Sequence, residues 1–453
     1  MFYKRIGTLA AVAVLAVSAC ASPGATVRPS GSTPASSAPV ASGTAAPSAT
    51  TGGAQVELTI ESWRNDDLTI WQDKLIPAFQ AKYPNIKVTF APTAPADYNG
   101  ILDSKLKGGT AGDLITCRPF DASLKLFQGG QLASLNDLPG LKNFGDVAKS
   151  AWITDDGKDA FCVPMASVIH GFIYNTDAFT KLGITKAPTT VDEFKAVLDQ
   201  IAKDGTYTPL AMGTKDMWES ATMGFQNIGP NYWKGEEGRK ALIAATAKFT
   251  DKPYVDTWEE LASWKPYLPK GHEAIAYPDA QQYFESGKAA IYPAGSWDIS
   301  YFEGKGVKIG FFGPPVAKAG DECYISDHTD IGMGMNAKSA HQAEAKQFLD
   351  WVASDEFATL YANALPGFYS LSNNPVTLED KVAQQAVDLR KSCKSTIRNS
   401  YQILSRGDTE KGQKNLENEL WAVTAAVING TKTPEAAAKE IQDGLDAWYK
   451  PTN

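Results

Sequence analysis

The sequence predicts an α/β protein of two domains, and three observations carry that expectation. The chain has 453 residues, more than one compact core serves, and its 43% hydrophobic and 21% charged residues are the ordinary balance of a globular chain. From Gln55 onward, segments alternating polar and apolar residues are followed by segments with helical spacing, the pattern of βαβ units around a parallel sheet. Two of the early strands end in loops rich in charged and aromatic residues, and open α/β sheets bind ligands beyond the carboxyl ends of their strands. The formal charge of -8 comes with no basic block, which argues against nucleic acid and against a polybasic membrane patch as partner.

The chain opens with an address. Lys4 and Arg5 precede an apolar run, Ile6 to Val17, that is short for a membrane span. Val17–Ser18–Ala19–Cys20 resembles the lipobox of bacterial lipoprotein signal peptides. That resemblance implies removal of residues 1–19 and lipidation of Cys20, hence a cell-membrane anchor on the extracytoplasmic face. From Ala21 to Ala54 the residues are almost all Ala, Ser, Thr, Pro and Gly, with Arg28 the only charge, so 20–54 reads as a disordered leash.

The body begins with a strand, Val56 to Trp63, broken by Arg64–Asn65–Asp66–Asp67. Ile70, Trp71, Leu75, Ile76 and Phe79 then fall at helical spacing, Pro84–Asn85 ends that helix, and Ile86–Phe90 is the next strand, completing a βαβ unit. A helix near Tyr98–Leu106, a turn at Gly108–Gly109 and the strand Asp113–Cys117 follow, the last ending in Arg118–Pro119–Phe120–Asp121. The apolar run Phe161–Asn175 exceeds one ordinary strand and reads as two, punctuated by Pro164 and Gly171. Thr190, with Glu193 three residues on, predicts a capping box. Helices are expected over Gly235–Phe249, Trp258–Tyr267 and Ala340–Ala353, a loop at Asn227–Pro230, a strand around Ile331–Met335, and helix from Val376 to the end.

The stretch Gly287–Trp297 reads as a buried strand delivering a loop, with Gly295 allowing a sharp bend ahead of Trp297. That indole either faces a cleft, where its flat apolar surface suits a sugar ring, or is one more core aromatic. Cys117, Cys162, Cys323 and Cys393 remain after Cys20, an even number that in an exported chain favours disulfides, with three pairings open.

The order of segments resembles the sugar-binding family of extracellular solute-binding proteins of bacterial ABC transporters, typified by the maltose-binding protein. The resemblance is carried by Gly109–Leu114 approaching a strand, the Gly129–Leu135 turn, Pro164 leading to Tyr174–Asn175, Gly287–Ala290 leading to Gly295–Ser296–Trp297, and Gly332–Asn336 before an Ala- and Phe-rich helix. It implies a two-lobe α/β fold with a ligand cleft between lobes and several hinge crossings: 55–166 with 328–366, and 167–327 with 367–453. It implies that Cys117 pairs with Cys162 and Cys323 with Cys393, each pair inside one lobe. It further implies a monomer that needs no cofactor or metal, takes a sugar, and docks on permease subunits.

The resemblance places ligand contacts at Trp63, Arg64, Asn65, Asp66, Arg118, Asp121 and Trp297. Trp218 lies in a polar loop where relatives put cleft aromatics, and Tyr232 and Trp233 follow a loop. Ser167, Asp327, His328 and Phe368 stand at the predicted crossings. The Ser326–Asp330 segment reads either as ligand hydrogen bonding or as a capped turn, whereas His170 in its apolar run reads as core. Arg64 and Arg118, where many relatives carry neutral or aromatic residues, together with His328 leave open an anionic ligand such as a glycerol phosphodiester or another anionic sugar derivative. A surface glycoside hydrolase is the alternative of another class. It needs two carboxylates at a set separation, and the pairs Asp66–Asp67, Asp155–Asp156 and Glu236–Glu237 read instead as solvated turns and helix starts.

Overall fold

The computed structural model describes residues 55–396, 401–407 and 411–451. The expected signal peptide, Cys20 and the leash lie outside these. The strands are β1 (Val56–Ser62), β2 (Ile86–Pro92), β3 (Leu114–Cys117), β4 (Val163–Asn175), β5 (Thr208–Leu210), β6 (Ala289–Gly295), β7 (Ile309–Phe312), β8 (Tyr324–Met335), β9 (Tyr369–Ser370) and β10 (Lys394–Thr396). Hydrogen bonds join them in the order β2-β1-β3-β8-β4-β6-β5, with β7 and β9 also on β4 and β10 on β8.

The opening βαβ unit forms as the residue spacing predicts. β1 pairs in parallel with β2 from Val56 opposite Ile86 to Ser62 opposite Pro92. The helix between them, over 68–82, buries Trp71, Leu75, Ile76 and Phe79, and its Trp71 stacks on Phe90 at 4.9 Å. β3 lies parallel to β1 on the other side. The capping box at Thr190 and Glu193 starts the Val191–Asp204 helix.

The run expected to be two strands is one. Val163 to Ile169 pairs with β8, and His170 to Tyr174 pairs with β6, so β4 serves both halves of the sheet. Pro164, which has no N–H to give a ladder, sits at a register shift. Gly171 lets β7 come close, since a Cβ there would lie 2.5 Å from the Phe312 carbonyl oxygen. β8 is likewise longer than its apolar end suggested. Its polar half is strand because Asp327 and Asp330 have charged or polar neighbours there, Arg390 and His328 respectively.

Other boundaries move for local reasons. The helix expected over Gly235–Phe249 is Glu236–Ile243, and Ala245 just beyond it takes a positive φ of 53°. The helix expected at Trp258 starts at Lys252, with Pro253 in its first turn, where a missing N–H costs nothing. The loop expected at Asn227–Pro230 is helical, and Trp233 stacks on Tyr254 at 5.4 Å. The tail is not all helix: β10 pairs in parallel with β8. Disulfides join Cys117 to Cys162 and Cys323 to Cys393. Among the described residues no helix is long and apolar enough to cross a membrane.

Candidate ligand-binding site

A cavity of about 390 Å³ opens beyond the carboxyl ends of β1, β3 and β6, within the range of roughly 300–1,000 Å³ usual for small-molecule sites. Each of these strands delivers an aromatic or arginine onto its wall: Trp63 and Arg64 after β1, Arg118 and Phe120 after β3, Trp297 after β6.

On the β1/β3 side the rings are faced by guanidinium groups. Arg118 lies 4.5 Å over the Trp63 ring and donates to Asn99 Oδ1 and the Pro95 carbonyl, both at 3.1 Å. Arg64 is buried and bidentate on Asp67, Nε to Oδ2 and Nη2 to Oδ1 at 2.7 Å each. It also lies 4.8 Å over the Phe368 ring. Burial works against its charge, the Asp67 carboxylate outweighs that, and its pKa sits well above the ordinary value. Asp67, expected in a solvated turn, is thus a buried counterion. Phe120 takes φ 58° and ψ -135°, a region nearly reserved for glycine that costs on the order of 1–3 kcal/mol and concentrates at ligand sites. The neighbouring Asp121 accepts from Arg406 Nε on both oxygens, at 3.1 and 3.0 Å. Burial raises its carboxyl above the usual value while Arg406 opposes.

On the β6 side Trp297 is 7% exposed and lines the cavity. Gly295 does not bend the chain there: its φ is -106°, open to any residue. What it supplies is space, because a Cβ would lie 1.7 Å from Trp297 Cζ3, so the indole packs flat on the bare backbone. The two alternatives for Trp297 therefore merge, with one edge in the core and one face on the cavity. Its Nε1 donates to the Tyr277 hydroxyl at 3.2 Å, and Tyr277 packs against Trp218 with centroids 4.9 Å apart. Met217, just before Trp218, has φ 63°, a second strained position beside the cavity. His170 is core, as its setting predicts, and stands edge-on to both Trp297 (5.2 Å) and His328 (5.1 Å) while its Nδ1 lies 3.0 Å from the Thr222 carbonyl.

Of the expected contacts, Trp63, Arg64, Arg118, Asp121, Trp218, Trp297 and His328 lie on the cavity and five do not. Asn65 is exposed and reaches Asp66, whose own Oδ2 accepts from Gln281 at 3.5 Å. Ser167 and Asp327 face Arg390, which donates to Ser167 Oγ at 3.0 Å and to the Asp327 oxygens at 2.7 and 2.8 Å, tying β4 to β8. Phe368 is fully buried beneath Arg64. Tyr232 and Trp233 are off the wall as well.

The cavity adds residues that sequence reasoning missed, chiefly Tyr277 and Trp421. Tyr277 opens the Tyr277–Glu285 helix beside Pro278, a signal of a helix start and not of a ligand. Trp421 sits on the Leu416–Ile428 helix, where an aromatic ordinarily reads as core. Among the described residues no cluster of His, Cys, Asp or Glu could hold a metal.

Residues 64–359 match the family model described as bacterial extracellular solute-binding protein. An ABC transporter extracellular-binding protein of Pyrococcus horikoshii, itself uncharacterised, is 24% identical over 302 residues, 63% of this chain and 64% of that protein's length. A structure from work on xylan utilisation by the thermophilic Caldanaerobius polysaccharolyticus superposes with a TM-score of 0.73, 18% identity, 86% of this chain and 100% of that one. A chitin oligosaccharide binding protein gives 0.71 at 20% identity, over 87% and 99% of the two chains. The binding protein RafE in complex with raffinose gives 0.70 at 18% identity, over 87% and 99%. At these identities the likeness shows a shared two-lobe fold, and the model match, over well more than half of the chain, shows the family. The chain belongs to the bacterial extracellular solute-binding proteins, a family of binding proteins and not of enzymes.

Proposed function

We propose that this chain captures a neutral sugar or oligosaccharide and hands it to the permease of an ABC importer, tethered to the membrane through a lipid on Cys20 and acting as a monomer. The observation that carries the reading is the wall of Trp63, Trp218, Tyr277, Trp297 and Trp421 around a cavity edged by polar groups. Ring faces bury the apolar faces of a pyranose, and polar edges meet its hydroxyls. The lobes comprise 55–166 with 328–366 and 167–327 with 367–453, and they close on the ligand. Raffinose and chitin oligosaccharide in the names of similar structures supply the first compounds to try.

The anionic reading rested on Arg64, Arg118 and His328. Arg64 is already engaged by Asp67, and Asp216, Asp330 and Glu417 add carboxylates to the same wall. A negative ligand would meet like charge there, so the uncharged sugar is the better fit.

A thermal-shift series with raffinose, chito-oligosaccharides, xylo-oligosaccharides and a glycerol phosphodiester tests this, because a ligand that binds only the native state raises its melting temperature. A rise with at least one neutral sugar and none with the phosphodiester is expected. A rise with the phosphodiester alone would replace the reading by the anionic one, and cleavage products from the oligosaccharides would turn it to hydrolysis. For the anchor, Cys20→Ala should move the protein from the membrane fraction to the aqueous one, and unchanged membrane association sinks that part.

A further inference from the structure

Asp298 follows Trp297 in the chain but stands behind the aromatic wall, fully buried and off the cavity. Its Oδ1 accepts from the Tyr277 hydroxyl at 2.6 Å and from the Gln281 amide at 2.9 Å. The Tyr277 oxygen in turn accepts from Trp297 Nε1 at 3.2 Å. An indole nitrogen can only donate, so the direction of this chain is fixed: Trp297 gives to Tyr277, and Tyr277 is left with its own proton to give to Asp298. Both upstream members face the cavity.

We propose that Asp298 is the positioning residue of this wall: through Tyr277 it sets the angle at which the Trp297 indole meets a bound sugar, and so tunes affinity without touching the ligand. The effect on affinity rests on the sugar-capture reading; the positioning itself does not. A carboxylate is the strongest acceptor a side chain can offer to a phenol, and a charged acceptor makes a shorter, roughly twofold stronger bond than a neutral one. The posture of Trp297 is therefore firmest when Asp298 is ionised.

That condition falls in the neutral range. Burial pushes the Asp298 carboxyl up to about 7, with the Tyr277 hydrogen bond opposing, Asp66 adding like charge, and Gln281 and Arg64 opposing. The other groups facing it are Tyr292 from β6 and Tyr301 from the Ile299–Gly304 helix. Tyr277 and Tyr292 keep their protons throughout, since burial and then Asp298 drive both well above the ordinary tyrosine value. His170 stands on the far side of Trp297, with His328 behind it, so a test must separate the carboxyl from the imidazoles.

The test follows the Trp297 indole N–H by ¹H–¹⁵N NMR in the full chain labelled at tryptophan, identified by its loss in Trp297→Phe, from pH 5.5 to 8.5. The wild-type resonance should shift with a midpoint near 7, and Asp298→Asn should abolish the shift while leaving both histidines in place. Tyr277→Phe, which breaks the relay but keeps the carboxyl, should abolish it too and covers the case that Asp298→Asn does not fold. In parallel, calorimetry with raffinose should show about fivefold tighter binding at pH 8 than at pH 6 in the wild type and equal binding at both in Asp298→Asn. A titration that persists in Asp298→Asn or Tyr277→Phe, or a wild-type indole that does not titrate, overturns the proposal. No heat with raffinose at either pH counts against the choice of sugar, while the indole titration still decides the positioning.

Discussion

The two sides of the cavity carry the same kind of ring on opposite electrostatic backing. Beyond β1 and β3 two rings lie under cations, Trp63 of the wall under Arg118 and the buried Phe368 behind it under Arg64. Beyond β6 the Trp297 ring packs on Gly295, and the Asp298 carboxyl stands behind it through a tyrosine. The contrast shows that an arginine near a binding site is not a ligand charge by default. Its counterions and the faces it occupies decide, and here one guanidinium is bound to a buried aspartate while the other donates to the Asn99 amide oxygen and the Pro95 carbonyl.

Breaking the first side should cost the most. Arg64→Met leaves the Asp67 carboxylate buried without its partner, for which about 3–5 kcal/mol of stability is expected to be lost. Chemical denaturation should find that loss, and the double variant with Asp67→Leu should recover most of it; a loss near zero in the single variant would mean the pair does not hold this loop. Trp297→Ala attacks the other side. About 2–3 kcal/mol of ligand affinity should go with the ring, read by calorimetry, together with some fall in melting temperature because the indole also packs on Gly295. Unchanged affinity beside a sharp melting drop would make Trp297 a core residue only.

Arg118→Gln sharpens the comparison at smaller amplitude. Losing a half-exposed cation over Trp63 should cost about 0.5–1 kcal/mol in binding a neutral sugar, whereas abolished binding would mark Arg118 as the seat of a negative ligand. The fold itself should also respond to pH. The folded pKa of Asp298, about 7, lies above the unfolded value, so the native state holds this proton more tightly. Its contribution to stability is therefore full in acid and is lost as the pH rises from about 4 through 7. Melting curves of Asp298→Asn should fall less steeply than wild type across that window, and parallel curves would contradict the sign.

Residue order predicted the early fold well because local signals and tertiary demands agree there. Val56 to Ser62 alternates, Trp71 to Phe79 keeps helical spacing, and each buries the face its period presents. The long strands were misread where polar residues or Pro and Gly occupy strand positions for tertiary reasons: Asp327 because Arg390 comes from 63 residues away, Pro164 because the register shifts beside it. In the site, Trp63, Arg118 and Trp297 were legible as strand-end residues. Tyr277 and Trp421 were not, since an aromatic on a helix gives the same pattern whether it faces a core or a cavity. Asp67 was misjudged for a related reason, as nothing in Asp66–Asp67 tells which carboxylate turns inward to Arg64.

β4 and β8, 13 and 12 residues long, lie against one another, and β4 runs on to pair with β6 and β7 in the other half of the sheet. Two such strands cannot slide to let the halves turn, because a slip of one residue would send every side chain to the wrong face. Any turn must be spread along them as extra winding, a few degrees at each peptide, in the manner of a torsion bar. Such a bar returns the work put into it. Under the capture proposed above, closing on a ligand winds this strand pair and release lets it unwind, so the stiffness of β4 and β8 contributes to how long the ligand stays.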